Sequence, residues 1–257
     1  MNLAKQLWAA RVEGRRIDIS PVGLPADEGA AYDVQEAVSQ VAEATSVGFK
    51  LGATSEASLK ALGLTRPFFG PLVDRYFHHS GDEVVLSTRH PVLIETEIAV
   101  GLEQDLRPRD QKYTPDEVER ATAWVAPALE LVATRFEIEL AGNGILLIAD
   151  GGVNADFVLG DKVRDWGQLD LSQHPATLLV NDLEAASGHS GMSLFATPFE
   201  AVAWLANHPR IRARGLRTGD IITTGTCTGM TPLQPGDRAR ADLGELGELR
   251  MQLAALS

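Results

Sequence analysis

The sequence predicts an α+β fold in which a helical N-terminal region covers a β-rich body. Apolar residues recur at helical spacing near the start: Leu3, Leu7, Trp8 and Val12, then Tyr32, Val34, Ala37, Val38 and Val41. Farther on, three acidic-glycine turns each open a β-like run. Ser80-Gly81-Asp82 leads into EVVLS, Thr218-Gly219-Asp220 into IITTG, and Pro235-Gly236-Asp237 into RARADL. The third observation is Pro91–Leu102, PVLIETEIAVGL, whose β-branched residues favour a strand over a helix.

Taken in order, residues 2–12 and 30–45 read as helices, joined by an extended connector broken at Ser20-Pro21 and Gly23-Leu24-Pro25. VGFKLGATS (47–55) reads as a strand carrying Lys50 between Gly48 and Gly52. A short helix over Ser55–Leu62 stops at Gly63, and FFGPLVDRYF (68–77) is β-like. Thr114–Ala123 carries a helix start signal: Thr114 as N-cap, Pro115 in the first turn and Glu117 at the capping-box position. VAPALELVAT (125–134) is another apolar run, and Phe136–Ala149 reads as strand, Gly142-Asn143-Gly144 turn and strand. Pro198–Asn207 is an amphipathic helix. The expected division is a helical region over 1–70 leading into the core and one body over 71–257, with no fixed-period repeat.

At 257 residues, 44% hydrophobic and 23% charged, the chain is sized for one large soluble domain or one with a small appendage. A net charge of -12 argues against nucleic acid as a partner. Cys227 is the one cysteine, so no intrachain disulfide forms. The N-terminus lacks a signal-peptide apolar core, and no run is long enough to span a bilayer, so a cytoplasmic location with no membrane partner is expected. No phosphate-cradling glycine loop opens a helix, which disfavours a nucleotide enzyme.

Chemistry concentrates in the Pro91–Leu102 strand. Side chains alternate, so Glu95 and Glu97 share a face with Leu93 and Ala99, while Ile94, Thr96 and Ile98 share the other. Two like charges on a buried face are costly unless compensated. Either this is an edge strand with a wet carboxylate face, or a divalent cation sits there. Glu130, alone in VAPALELVAT, repeats the anomaly. Three such acids could form an all-oxygen site for Mg²⁺ or Mn²⁺, and the absence of cysteine and histidine from these stretches argues against zinc.

The stretches VGFKLGATS, FFGPLVD, PVLIETEIAVGL, APALELVATRF and IADGGVNADFVLG occur in the order and approximate spacing of a known group. Over about residues 30–250 the chain resembles the 2-keto-4-pentenoate hydratase / 4-oxalocrotonate decarboxylase family, within the fumarylacetoacetate hydrolase superfamily. The E-x-E strand followed by a third glutamate is the specific part of the match. The resemblance implies a mixed β-sheet roll, with 71–257 as its catalytic domain. It implies that Glu95, Glu97 and Glu130 ligate Mg²⁺ or Mn²⁺ and that Lys50 and Asp74 line the site as catalytic residues. Arg135 matches an arginine the family carries after its third glutamate, and Arg135 and Asp150 are the expected substrate contacts. The implied activity is a metal-dependent hydratase acting on a small 2-hydroxydienoic or 2-oxo-enoic acid, as in the lower steps of aromatic-ring degradation. A decarboxylase of a vinylogous 2-oxo acid, a C–C hydrolase of acylpyruvates and a catalytically silent partner subunit are the alternatives. A homo-oligomer is implied, with a decarboxylase or hydratase of the same pathway as companion.

Two departures stand out. Many members read Ala-Asp-Asn-Ala-Ser where this chain has Ala149-Asp150-Gly151-Gly152-Val153, and Gly-His-Pro where it has Ala196-Thr197-Pro198. Each removes a hydrogen-bonding or proton-transfer side chain. Other readings stay open at the level of sequence: Lys50 as a strand-edge lysine, Asp74 as half of a surface ion pair with Arg75, and Asp150 as the cap of a glycine turn. The hydroxyl-rich loop TTGTCTGMTP (223–232) reads as packing or pocket lining, with Cys227 having no adjacent base to activate it. His78 and His79 are expected in solvent, and the tryptophans at 8, 124, 166 and 204 are expected at helix or turn positions as packing residues.

Overall fold

The structure is a computed structural model that describes residues 2–19, 23–86 and 91–254. Ser20, Pro21, Ser87 and His90 therefore lie outside the described residues. The chain opens with α1 (Leu3–Glu13), capped by the Asn2 side chain, and α2 (Glu28–Ala42), capped by Asp27. Both cover the body as expected. Gln35 of α2 reaches inward and donates to the carbonyls of Phe69 and Ile148, and Arg11 of α1 donates to the Ala155 carbonyl.

The body begins with β1 (Ser46–Gly52), α3 (Glu56–Leu62) and β2 (Phe68–Val73). α3 stops where Gly63 turns left-handed at φ +70°. Then come β3 (Phe77–His79), β4 (Glu83–Val84) and β5 (Val92–Leu102). α4 (Pro115–Ala121) carries the expected reciprocal cap between Thr114 and Glu117 and runs straight into β6 (Thr122–Val132). The rest is α5 (Gly144–Ala149), β7 (Asn154–Leu159), β8 (Pro175–Val180), β9 (Leu183–His189), α6 (Pro198–Asn207), α7 (Pro209–Arg212), β10 (Ile221–Thr226), β11 (Thr231–Leu233), β12 (Arg238–Asp242) and β13 (Glu248–Leu253).

The strands form two mixed sheets. The larger runs β2-β1-β10-β5-β6-β7-β3, with β11 also on β5, and the smaller runs β4-β13-β12-β8-β9. Pairs β1–β10, β3–β7 and β4–β13 are parallel and the others antiparallel. The α+β class and the mixed-sheet roll are thus as the sequence predicts. The boundary at residue 70, however, falls inside β2, and β1 is an interior strand of the large sheet, between β2 and β10. The N-terminal region is therefore structural body as well as helical cover.

The three Gly-Asp turns share one device. In each, the aspartate carboxylate accepts from the backbone N–H three residues earlier: Asp82 from His79, Asp220 from Arg217 and Asp237 from Gln234. Gly81, Gly219 and Gly236 take φ of +98°, +89° and +93°, the left-handed third position of a type II turn.

Three expectations need correction. Residues 136–141 form no strand beyond a single bridge between Phe136 and Ile17, and residues 144–149 are helical rather than a second strand, because every residue of GILLIA except Ile145 is buried, so the run has no polar alternation to hold it extended. Trp124 lies within β6. His78 is half-buried and bonds Asp156 at 2.8 Å, since β3 pairs with β7 and brings the two together.

Strands β5 and β6 are buried on both faces. Ile94, Ile98, Val125, Leu129 and Leu131 join the main core with Val202 and Leu205 of α6. On the opposite face, Ala99, Trp124, Ala126 and Ala128 pack with Leu72, Phe157 and Ile221. That second face also carries the glutamates. Among the described residues no helix is long and apolar enough to cross a membrane.

Candidate metal centre

The β5–β6 register places Glu95 directly opposite Glu130, and Glu97 opposite Ala128. The two-residue period then turns all three carboxylates to one face. One oxygen from each lies within 4.8 Å of the others. Glu97 and Glu130 are 0% exposed, while Glu95 is half-buried at one side of the group. β1 supplies Lys50, between Gly70 of β2 and Thr223 of β10. Its ammonium is 3.2 Å from Glu130 Oε1 and donates to the Gly152 carbonyl at 3.1 Å. The Gly225 N–H of β10 donates to Glu97 Oε2 at 2.9 Å, and Asn154 Nδ2 donates to Glu130 Oε1 at 3.1 Å.

Burial pushes the Glu97 carboxyl well above the usual range, and the charges of Glu130 and Glu95 push it further. Burial lifts Glu95 to about 7, with Lys50 opposing and Glu130 adding to the shift. Burial alone would lower Lys50, but Glu130, Glu95 and Glu97 outweigh it and raise the ammonium above its ordinary value. Lys50 is accordingly a fixed positive charge in this cluster. Glu97 Oε1 and Glu130 Oε2 are buried and have no protein partner among the described residues. Oxygens stranded this way are expensive unless something cationic meets them. An all-carboxylate donor set of this kind suits a hard divalent ion.

The loop between α5 and β7 completes the floor. Gly151, Gly152 and Val153 all take left-handed φ, at +65°, +69° and +56°. For β-branched Val153 this is a strained conformation. Arg135 grips both ends of the strained turn: it donates to the Asp150 carbonyl before it and to the Asn154 carbonyl after it, the latter at 2.8 Å. The Asp150 carboxylate accepts from Arg135 Nε, from the Arg135 N–H at 2.7 Å and from Thr134 Oγ1 at 3.0 Å. Gly70 permits the approach of β2, since a Cβ there would lie 2.1 Å from the Gly151 carbonyl oxygen. Phe68 closes the lysine side, its ring centroid 5.4 Å from Lys50 Nζ.

Of the residues singled out by sequence, the structure brings Glu95, Glu97, Glu130 and Lys50 together. Asp74 does not join them. It begins an exposed turn after β2, and its carboxylate accepts from the Arg75 N–H. It is four residues along the strand from Gly70, the partner of Lys50, or about 13 Å. Arg135 and Asp150 are 5% and 3% exposed and spend their polar atoms on each other, on the Thr134 hydroxyl and on backbone rather than on an open site. Cys227 is 2% exposed, and burial with the nearby Glu97 charge pushes its thiol up to about 12, which agrees with a packing role. Asn154, Gly152, Gly225 and Phe68 went unrecognised. Of these, only the paired glycines of 151–152 and the hydroxyl-rich 223–232 loop left a trace in the sequence.

The family model for the fumarylacetoacetate (FAA) hydrolase C-terminal domain matches residues 68–254. A 2-keto-4-pentenoate hydratase of Burkholderia vietnamiensis is 30% identical, covering 97% of this chain and 95% of its own. A 2-hydroxyhexa-2,4-dienoate hydratase of Comamonas testosteroni is 30% identical over 86% of this chain and 84% of its own. Among solved structures, a 4-oxalocrotonate decarboxylase from Pseudomonas putida G7, complexed with magnesium and adipate, aligns with a TM-score of 0.87 at 26% identity, over 98% of this chain and 95% of that one. With the three carboxylates in place and the match running through both sheets, the chain belongs to the fumarylacetoacetate hydrolase family.

Proposed function

We propose that this protein is a divalent-cation-dependent hydratase, a lyase that adds water to a small 2-hydroxydienoic or 2-oxo-enoic acid such as 2-hydroxypenta-2,4-dienoate. One observation carries the reading: three carboxylates converge within 4.8 Å beside a buried lysine, with an oxygen of Glu97 and one of Glu130 left unpartnered. Glu95, Glu97 and Glu130 would hold Mg²⁺ or Mn²⁺. The hydratase names of the relatives support the reaction class. When bound, the ion supplies a Lewis acid that draws charge from the C2 oxygen of a 2-oxo acid.

The protein's own groups do the rest. A divalent ion together with a Lys50 ammonium would balance the three carboxylates, so the loaded site could admit an anionic substrate without net repulsion. Lys50, held by Glu130 Oε1 and the Gly152 carbonyl, would put a cationic donor at the edge of the carboxylate cluster, where it favours an anionic substrate. Gly225 and Asn154 fix the orientations of Glu97 and Glu130. Arg135 and Asp150 act as positioning residues: they clamp the turn whose Gly152 carbonyl anchors Lys50. Asp74 has no part in this arrangement.

A second reading, decarboxylation of a vinylogous 2-oxo acid, is favoured by the TM-score of 0.87 to a decarboxylase over nearly the whole chain. One assay separates the two. Purified protein with Mg²⁺ is given 2-hydroxypenta-2,4-dienoate and, separately, 4-oxalocrotonate. Loss of the dienol absorbance with formation of a 4-hydroxy-2-oxo acid is expected; CO₂ release from the second substrate alone would move the assignment to the decarboxylase. We extend the proposal to a homo-oligomer working in the lower steps of aromatic-ring degradation, to be read by light scattering and by activity beside the companion pathway enzyme.

A further inference from the structure

Asn154 opens β7 at the end of the strained turn and is 1% exposed. Its amide is half used. Nδ2 donates to Glu130 Oε1, the oxygen that also faces Lys50, while Oδ1 is buried with no protein partner among the described residues. The orientation of the amide is fixed by chemistry, because a carboxylate oxygen requires the NH₂ side. Oδ1 belongs to the same planar group, so an unmet acceptor stands at the carboxylate cluster. Glu130 is arranged in the complementary way: Oε1 takes both donors, leaving Oε2 free.

We propose that Asn154 is a positioning residue of the cation site with two tasks. Nδ2 holds Glu130 so that Oε2 faces the other carboxylates, and Oδ1 accepts a hydrogen bond from a water molecule beside the cation. The proposal rests on the metal-site reading above and adds the water's anchor. It follows from pairing rules: a buried amide oxygen is rarely left unmet, the carboxylates around it offer no hydrogen at neutral pH once a cation occupies them, and water is the smallest donor that can meet it.

The test compares wild-type protein with Asn154→Leu, which keeps the size and removes both polar atoms. Free Mn²⁺ is counted by electron paramagnetic resonance, and the melting temperature of the metal-free protein is recorded beside it. Mn²⁺ affinity should weaken about 10–100-fold in the variant. A purely structural asparagine would instead lower the melting temperature and leave the affinity unchanged, which overturns the proposal. A crystal of the wild-type protein with Mn²⁺ gives a second readout that needs no variant. Water within hydrogen-bonding distance of Asn154 Oδ1 is expected, and an unmet Oδ1 there overturns the proposal even if Asn154→Leu does not fold. Wild-type protein that binds no Mn²⁺ at all would remove the metal-site reading itself, an outcome distinct from an unchanged variant.

Discussion

Glu95 stands directly opposite Glu130 across the β5–β6 ladder, two acids facing each other in one antiparallel pair. Like charges so placed repel, and with Glu97 beside them they make the metal-free site a local source of instability. Glu97→Gln should therefore raise the stability of the metal-free protein, by about 1–4 kcal/mol in chemical denaturation. The same change should lower turnover about 100-fold or more under saturating Mg²⁺. Stability and activity moving in opposite directions is the signature; unchanged turnover would refute the role of Glu97.

Acidity should act on the metal-free protein in a defined direction. Glu95 titrates near 7, and burial with the charges of Glu130 and Glu95 also holds Glu97 well above the ordinary 4.5 of the unfolded chain. From about pH 4.5 upward the native state binds more protons than the unfolded one, so stability should fall as pH rises through about 7. The slope is up to about 1.4 kcal/mol per pH unit for each group. Melting curves taken from about pH 5 to about pH 8 should show this decline without metal. Added Mg²⁺ should stabilise more at the higher pH, because the ion competes with those protons.

The Arg135–Asp150 pair should behave as a buried clamp. Asp150→Asn leaves the guanidinium without its counter-charge and should cost about 3–5 kcal/mol in urea unfolding. Arg135→Lys should not rescue the geometry, because one ammonium cannot bridge the carbonyls of Asp150 and Asn154 as the forked guanidinium does. A stability loss below about 1 kcal/mol for both variants would count against the clamp.

Gly152→Ala tests the contact between turn and lysine. The new Cβ would lie 3.1 Å from both Lys50 Cδ and the Phe68 ring, at a φ of +69° that alanine resists. Lys50 should be displaced from Glu130, and kcat should fall about 10-fold or more at a metal affinity within about threefold of wild type. A parallel fall in both parameters would place the damage at the carboxylates instead.

Much of this centre was legible. Glu95, Glu97 and Glu130 announce themselves as acids in apolar, β-branched surroundings, where an uncompensated charge has no reason to persist. Lys50 was legible only through the family resemblance, since on its own it reads equally as a strand-edge lysine. Partner choice was not legible. Nothing local says that Arg135 spends its fork on Asp150 and backbone, because that pairing depends on how α5 and β7 enclose the turn. Asp74 was misplaced for a related reason: after Val73 the strand gives way to an exposed turn that carries it away from Lys50. Asn154 is three residues past Gly151, in a stretch whose left-handed turn cannot be foreseen from a valine.

The groups around the carboxylates arrive on β1, β5, β6, β7 and β10, from Lys50 to Gly225 along the polymer. Pairing strands so far apart in sequence is expected to come late in folding, because the loop-closure entropy must be paid before those contacts form. Tight capture of Mn²⁺ during refolding should therefore trail the recovery of secondary structure and coincide with closure of the large sheet, making the ion a clock for the last step by which this chain becomes an enzyme.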